Sequence, residues 1–337
     1  MSTTKRAFGW VAVAGLILAC ADLARSEPQS LVLADPNTTV IPRVPKPPNP
    51  PSDLANLPGD LRAIAIPGPP NIGDFVKDPQ AAIVLGKALF WDMQVGSDGV
   101  QACASCHFRA GADPRSKNQF SPGLKVQPTP DLTFFVGEAN FQLDASFFPL
   151  TQLATLGVRG ALNAATDNND AVSSMGVHHL GPGADPQNFR VGNLNTRRVE
   201  LRNTPTVINA VFNHRQFWDG RAENVFNGVD HRGTRNPDAR VFRADDPNAP
   251  VEVAVALVNS SLASQAVAPI VADLEMARPG RTVQEVGREL VKNGVRPLKK
   301  QRVHPSDSVL GPHSRYPAKG LTAKTYAKLI EAAFNKV

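Results

Sequence analysis

Two cysteines and a histidine stand close together in the run Cys103-Ala104-Ser105-Cys106-His107. This is the C-x-x-C-H pattern, in which the two thiols add to the vinyl groups of haem and the adjacent imidazole binds the iron. A thioredoxin-like dithiol would need a βαβ context, a zinc site would need further ligands, and a plain disulfide would leave the histidine unexplained. We therefore predict one covalent c-type haem on Cys103 and Cys106, with His107 as an axial iron ligand.

The second axial position of the iron is left open by the sequence. Met175, His178 and His179 lie in a glycine-rich stretch that could reach over the haem. Imidazole is a common iron ligand, but a pair of loop histidines is equally often solvated. Either His178 or His179 is thus a candidate for the distal ligand.

The N-terminus resembles an export signal. Two basic residues precede an apolar stretch from Phe8 to Cys20, and Ala24-Arg25-Ser26 offers small residues for cleavage. We predict a signal peptide over residues 1–26 and a location in the periplasm or cell envelope. An uncleaved anchor and lipidation of Cys20 are the alternatives.

Composition narrows the classes of partner and fold. The formal net charge is +6, with no block of basic residues interleaved with aromatics, so nucleic-acid binding has no support. The 30 prolines and 25 glycines predict long irregular connections.

The elements that must hold the motif show helical spacing. Asp78 and Pro79 form a cap and first turn ahead of Ala82, Leu85 and Leu89, which predicts a helix beside the haem. Apolar residues also recur at helical intervals in three later stretches: Val251, Val255, Val258 and Leu262; Val283, Val286 and Leu290; and Tyr326, Leu329, Ile330 and Ala333. Residues 113–202 carry no sustained period and are predicted as loop. No alternating strand pattern competes, so we expect a mainly α, cytochrome c-like haem domain with long loops.

Several motifs recur in the order found in a known family. The runs Leu85–Asp92, Cys103–His107, Arg202–Phe212 and Gln216–Ala222 resemble those of the bacterial di-haem cytochrome c peroxidase and MauG superfamily. The resemblance extends from about Asp78 to the C-terminus. It implies cleavage of hydrogen peroxide at this haem, with electrons from a small donor such as a cytochrome c or a cupredoxin.

The resemblance also implies roles for individual residues. After an insertion from Phe226 to about Ser260, Gln265 and Glu275 match the catalytic glutamine and glutamate. Trp218 matches the tryptophan that carries electrons between two haems, and Asn203 matches a residue that helps to bind structural calcium. Taken alone, Trp218 could be a core aromatic, Asn203 a turn residue and Glu275 a solvated carboxylate.

Two departures from the family pattern stand out. No cysteine follows Cys106, so a second C-x-x-C-H is absent, and Asn195 occupies the position of a distal histidine. We predict a proline-rich arm over residues 27–77, a peroxidatic haem domain over 78–320 and the start of a truncated second haem domain over 321–337.

Three hypotheses of function follow. The first is the peroxide-reducing portion of a periplasmic haem peroxidase. The others are a mono-haem electron-transfer module without peroxidase turnover and a MauG-like oxidase that acts on a partner protein. A homodimer remains open in each case.

Overall fold

The computed structural model of the chain describes residues 64–109, 111–113, 120–121, 171–172, 174–186, 189–191, 194–195, 197–200, 202, 204–243, 248–292 and 295–335. The predicted signal peptide, most of the predicted proline-rich arm and Asn203 lie outside the described residues. Within these ranges, none of the helices combines the length and apolar character that a membrane span requires.

The described ranges contain four α-helices: α1 Pro79–Trp91, α2 Ser261–Ala266, α3 Val283–Leu290 and α4 Tyr326–Ala333. Short 3₁₀ turns and eight short strands provide the remaining regular structure of these ranges. The prediction of a mainly α fold is therefore wrong. Turns rich in glycine, proline and asparagine satisfy much of the backbone locally, so few segments continue into long helices.

Helix α1 begins where the sequence predicts. The carboxylate of Asp78 accepts hydrogen bonds from the amides of Gln80 and Ala81 at 2.9 and 3.1 Å, and Pro79 occupies the first helical position. Such a cap satisfies amides that have no partner within the helix. Every residue from Ala82 to Phe90 is buried, so α1 runs through the centre of the main core.

Helix α4 packs against α1 in the same core. Thr325 caps its first turn by accepting a hydrogen bond from Lys328 N at 3.4 Å. The hydroxyl of Tyr326 donates to the buried carboxylate of Asp92 at 2.6 Å, and Leu298 N donates to the same carboxylate at 2.7 Å. The end of α1 and the start of α4 are thus joined through one acidic side chain. The assignment of residues 321–337 to a second haem domain stays a prediction.

The strands form four antiparallel pairs, each with two members. They are β1 Phe120–Ser121 with β2 Ala171–Val172, β3 Met175–His178 with β6 Arg197–Val199, β4 Arg190–Val191 with β5 Leu194–Asn195, and β7 Val241–Arg243 with β8 Val251–Val253. Of these, β3 and β6 bear on the candidate site.

The helix expected along Val251, Val255, Val258 and Leu262 is wrong. Residues 251–253 form β8, which pairs with β7, and only Leu262 lies in a helix, namely α2. β-branched valines fit a pleated strand as well as a helix face. The helical spacing of these residues was therefore not sufficient to predict a helix. The helices expected around Val283 and Tyr326 are present as α3 and α4.

Candidate functional site

The C-x-x-C-H run folds into one tight turn, called here the haem-attachment turn (residues 103–107). Cys103–Ser105 is a 3₁₀ turn, and the carbonyl of Cys103 accepts the amides of Cys106 and His107 at 3.2 and 3.1 Å. The hydroxyl of Ser105 accepts the amide of Ala102 at 2.9 Å and fixes the entry to the turn. Both thiols and the imidazole are therefore presented by one short, self-bonded segment.

The imidazole of His107 is held by a backbone carbonyl. Its Nδ1 lies 2.7 Å from the carbonyl oxygen of Gly111, and since a carbonyl only accepts, Nδ1 carries the proton. The lone pair is then on Nε2, the usual position for binding a metal. Burial lowers the pKa of His107, against opposing effects of the Gly111 and Pro205 carbonyls and the charge of Asp113, which favours the neutral ring.

Gly111 is required at the carbonyl that holds His107. Its φ is +67°, and a Cβ at this position would lie 2.1 Å from Cγ2 of Val207. A larger residue would have to push Val207 away or move the carbonyl from the imidazole. The ring orientation of His107 therefore depends on the absence of a side chain at residue 111.

The two cysteines are thiols, and each contacts a segment distant in sequence. Sγ of Cys103 lies 3.9 Å from Sδ of Met276, which is buried. Sγ of Cys106 lies 3.9 Å from the carbonyl oxygen of Met175, and Nε2 of Gln101 donates to the same carbonyl at 2.9 Å. The haem-attachment turn therefore contacts both β3 and the segment that contains Glu275.

These residues fit a c-type haem. Two thiols within one turn suit two thioether bonds, and a neutral imidazole with its lone pair on Nε2 suits axial ligation. The ring of Phe90 lies 6.0 Å from that of His107 and gives it an apolar neighbour. In addition, Nε1 of Trp91, the residue after Phe90, is a buried donor without a partner among the described residues. Cys103, Cys106 and His107 are the side chains that would hold the group.

Glu275 lies in a compact turn over residues 272–277. The carbonyl of Ala272 accepts the amides of Glu275, Met276 and Ala277 at 3.1, 3.0 and 2.9 Å. Three amides converging on one oxygen fix the backbone of the turn. Met276, which touches Cys103, and Glu275 are therefore placed together as neighbours on a single rigid segment.

Strand β3 packs directly against this turn. The amide of Val177 donates to the carbonyl of Glu275 at 3.0 Å. A Cβ on Gly176 would lie 1.8 Å from the carbonyl oxygen of Leu274, so the close approach requires glycine. The hairpin of β3 and β6 thus positions the backbone of Glu275.

A second carboxyl group, Glu200, lies near Glu275 at the end of β6. Burial raises the pKa of Glu275 to about 7, against the opposing charge of Arg221. Burial, together with the charges of Glu275 and Asp273, raises the pKa of Glu200 to about 8, again opposed by Arg221. Both groups therefore exchange protons near neutral pH, and Glu200 was not among the residues predicted from the sequence.

A buried arginine ties this region together. Arg198 in β6 donates to Asp185 at 2.8 and 3.2 Å, and to the carboxylate and carbonyl of Asp273 at 2.9 Å each. Its Nη2 also lies 3.3 Å from Nδ1 of His179. Arg198 thus links β6 to the residues just before Glu275, and its single positive charge is shared between Asp185 and Asp273.

The candidates for the distal iron ligand occupy distinct places. His178 is the last residue of β3 and lies opposite Arg197, while His179 follows it and contacts Arg198. The side chain of Asn195 hydrogen-bonds to a nearby loop: Oδ1 accepts from Asp185 N and Nδ2 donates to Gly183 O, each at 2.9 Å. Ligation by His178 or His179 stays a prediction.

Gln265 and Trp218, the two other residues with a predicted catalytic role, lie more than 100 positions after the haem-attachment turn. Gln265 is in the last turn of α2 and is partly buried. Trp218 is 70% exposed, and the guanidinium of Arg202 lies 3.9 Å from the centre of its ring. Trp218 is therefore a surface residue rather than a core aromatic.

The structure adds residues that sequence reasoning missed. These are Gly111, Arg198 and Glu200. Arg198 and Glu200 act through contacts with distant parts of the chain, and Gly111 is required because Val207, distant in sequence, packs against it. The only local signal was the acidic side chain of Glu200 directly after the strand residues Arg197–Val199, and such a position is more often solvated.

Comparison with known proteins places the chain in a family. The model of the di-haem cytochrome c peroxidase family, CCP_MauG, matches residues 80–335. Comparison with curated proteins and with solved structures finds no match. Members of the matched family are haem-binding oxidoreductases that use hydrogen peroxide and a redox partner. Because the match covers most of the sequence and includes both the haem-attachment turn and Glu275, the chain belongs to the di-haem cytochrome c peroxidase family.

Proposed function

We propose that this chain is the peroxide-reducing portion of a family member. In this proposal it reduces hydrogen peroxide at one c-type haem, with electrons from a small donor such as a cytochrome c or a cupredoxin. The observation that carries the proposal is the contact between Cys103 and Met276. It brings the haem-attachment turn next to Glu275, a carboxyl group that titrates near neutral pH.

The haem, when bound, would supply the iron that binds peroxide and takes part in electron transfer. Cys103 and Cys106 would hold it through thioether bonds, and His107 would bind the iron through Nε2, because Nδ1 donates to the carbonyl of Gly111. Family membership and the predicted leader over residues 1–26 support a periplasmic location.

Glu275 is proposed to move the proton of the bound peroxide. Heterolysis of the O–O bond needs a group that accepts a proton from one oxygen and returns it to the departing oxygen. A carboxyl group with a pKa of about 7 is ionised in a useful fraction and still strong enough as an acid to give the proton back. Its backbone is fixed by Ala272 and Val177, which limits its drift from the reacting atoms.

Gln265 and Trp218 take supporting roles in the proposal. Gln265, on α2, is proposed to orient peroxide by hydrogen bonding. Trp218 is proposed to pass electrons. Its side chain is 70% exposed, which supports contact with a separate redox domain or donor protein. Arg202 over the ring limits its rotation.

The test uses the full chain with haem attached. Mixed with hydrogen peroxide and a reduced cytochrome c or cupredoxin, it should oxidise the donor catalytically. Failure to oxidise either donor, although the ferric iron binds peroxide, would overturn the proposal and favour an electron-transfer module. Oxidation of a partner protein in place of the donors would favour the MauG-like alternative.

A further inference from the structure

The surroundings of Glu200 favour a protonated carboxyl group over an ionised one in an ion pair. Its Oε1 is shielded from solvent and has no hydrogen-bond partner in the described part of the chain. Its backbone is fixed, since its amide donates to the carbonyl of Ser174 at 2.9 Å. An ionised carboxylate with an unsatisfied buried oxygen is costly, whereas a protonated one avoids most of that cost.

Glu223 shows the contrasting arrangement. Glu223 is buried, and Arg215 and Arg235 both donate to its Oε1 at 2.8 Å. That pairing stabilises a permanent negative charge. Glu223 is thus paired with two guanidinium groups, whereas Oε1 of Glu200 has no partner among the described residues.

The charged groups around Glu200 do not compensate two ionised carboxylates, which favours one proton on the pair Glu200 and Glu275. The charged groups that act on it are Glu275, Asp273 and Arg221. Asp273 is already paired with Arg198, and Arg221 also donates to Asp219 at 3.0 Å. One shared cation therefore faces two partly buried carboxyl groups. Two such groups close together retain a proton between them.

Strands β3 and β6 bring the two carboxyl groups together. Glu200 directly follows β6, and β3, the partner strand, donates from Val177 to the carbonyl of Glu275. Arg198, two residues before Glu200, donates to Asp273, two residues before Glu275. We call Glu200 and Glu275 the carboxyl pair.

We infer that Glu200 is a positioning residue that stores a proton for Glu275. The inference rests on the proposed function, in which Glu275 exchanges protons with peroxide. The overall reaction, H₂O₂ + 2 H⁺ + 2 e⁻ → 2 H₂O, takes its electrons from the donor protein and needs protons at the site. Cleavage of the O–O bond uses only the two protons of the peroxide, which Glu275 accepts and returns, so Glu275 ends this step ionised. Each of the two further protons is then needed as the donor's electrons reduce the remaining oxygen to water: Glu200 passes its proton to Glu275, Glu275 delivers it to that oxygen, and Glu200 is reprotonated from solvent.

The substitution Glu200→Gln tests this role, because an amide of nearly the same shape cannot release a proton. Wild-type turnover should fall as pH rises through about 8, where Glu200 loses its proton. Glu200→Gln should lower turnover at pH 7 about tenfold and abolish that alkaline decline. Glu200→Asp should restore the decline, and Glu252→Gln, on exposed β8, should behave as wild type.

A second measurement does not depend on turnover. Infrared spectra of the ferric protein should show a protonated carboxylic acid that disappears as pH rises through about 8. The band should be missing in Glu200→Gln and kept in Glu252→Gln. If the wild-type protein showed this titration but no turnover, the proposed function would be overturned, and the transfer of the proton to Glu275 with it. The finding that Glu200 and Glu275 share a proton would still hold.

Two results would overturn the inference itself. One is a Glu200→Gln protein that keeps the alkaline decline at the same pH, whatever its activity, since a structural defect alone leaves that decline in place. The other is an infrared band that persists in Glu200→Gln, because the stored proton would then lie on another group.

Discussion

The haem-attachment turn and the carboxyl pair meet through Met276 and Met175, yet they are built differently. The turn closes on itself: the carbonyl of Cys103 accepts two nearby amides, and His107 is held by Gly111. The carboxyl pair is assembled from distant segments that β3 and Arg198 join. Local hydrogen bonds therefore orient the side chains proposed to hold the haem, whereas long-range packing raises the pKa values of the two carboxyl groups.

Replacing both haem-binding cysteines tests the turn most severely. Cys103→Ser with Cys106→Ser should abolish covalent haem, because a hydroxyl does not form the thioether bonds. The measurement is haem retention on the denatured, separated chain. Cys20→Ser is the control and should retain haem. Covalent haem in the double variant would contradict the assignment of Cys103 and Cys106 as the attachment residues.

Removing the acid from the carboxyl pair should leave the turn unaffected. Glu275→Gln should slow the reaction with peroxide by about 10²–10⁴, the usual contribution of a general acid–base group. The ferric spectrum should not change, since the ligands of the iron are held by the turn. Stopped-flow mixing measures the rate, with Glu252→Gln as control; an unchanged rate would remove Glu275 from the mechanism.

A single methyl group tests the support of His107. Gly111→Ala should lower the free energy of unfolding by about 1–3 kcal/mol, because φ is positive and the Cβ meets Val207. Its ferric spectrum should change as well, because the imidazole loses its anchor. Gly287→Ala in α3 is the matched control: its Cβ has no atom within 4 Å, so it should stabilise the protein by about 0.5–1 kcal/mol. Equal effects at both sites would contradict the role of Gly111.

The pH dependence of stability provides the mildest test. The pKa values of Glu200 and Glu275 are raised in the folded protein to about 8 and about 7, so the folded state binds these protons more tightly than the unfolded chain. Their contribution to stability is full below the ordinary pKa of 4.5 and is lost as pH rises through 7 to 8.

The double variant Glu200→Gln with Glu275→Gln should remove this loss. Thermal unfolding at pH 5 and pH 9 should show a smaller decrease than in the wild type. Parallel decreases in the two proteins would mean that the pair is not protonated in the fold.

Much of the helical part of the fold was accessible from the sequence. Asp78 with Pro79 marked the start of α1, and the spacing around Val286 and Leu329 marked α3 and α4. These elements are amphipathic or capped locally, so their signals are contiguous. The strands were missed because β7 and β8 are three residues each and depend on pairing across a turn.

The sequence by itself determined that two thiols and an imidazole are presented together, because Cys103, Cys106 and His107 are close enough along the chain that one turn must hold them. Motifs that recur in order also predicted the family, which the match over residues 80–335 confirms, while the catalytic role of Glu275 stays a prediction. Only the tertiary structure decided that Glu200 lies near Glu275, that Val207 packs against Gly111 and that Trp218 faces outward. The physical reason is that a proton affinity or an exposed face depends on which distant groups exclude water and supply charge, and neighbouring residues along the chain do not encode that.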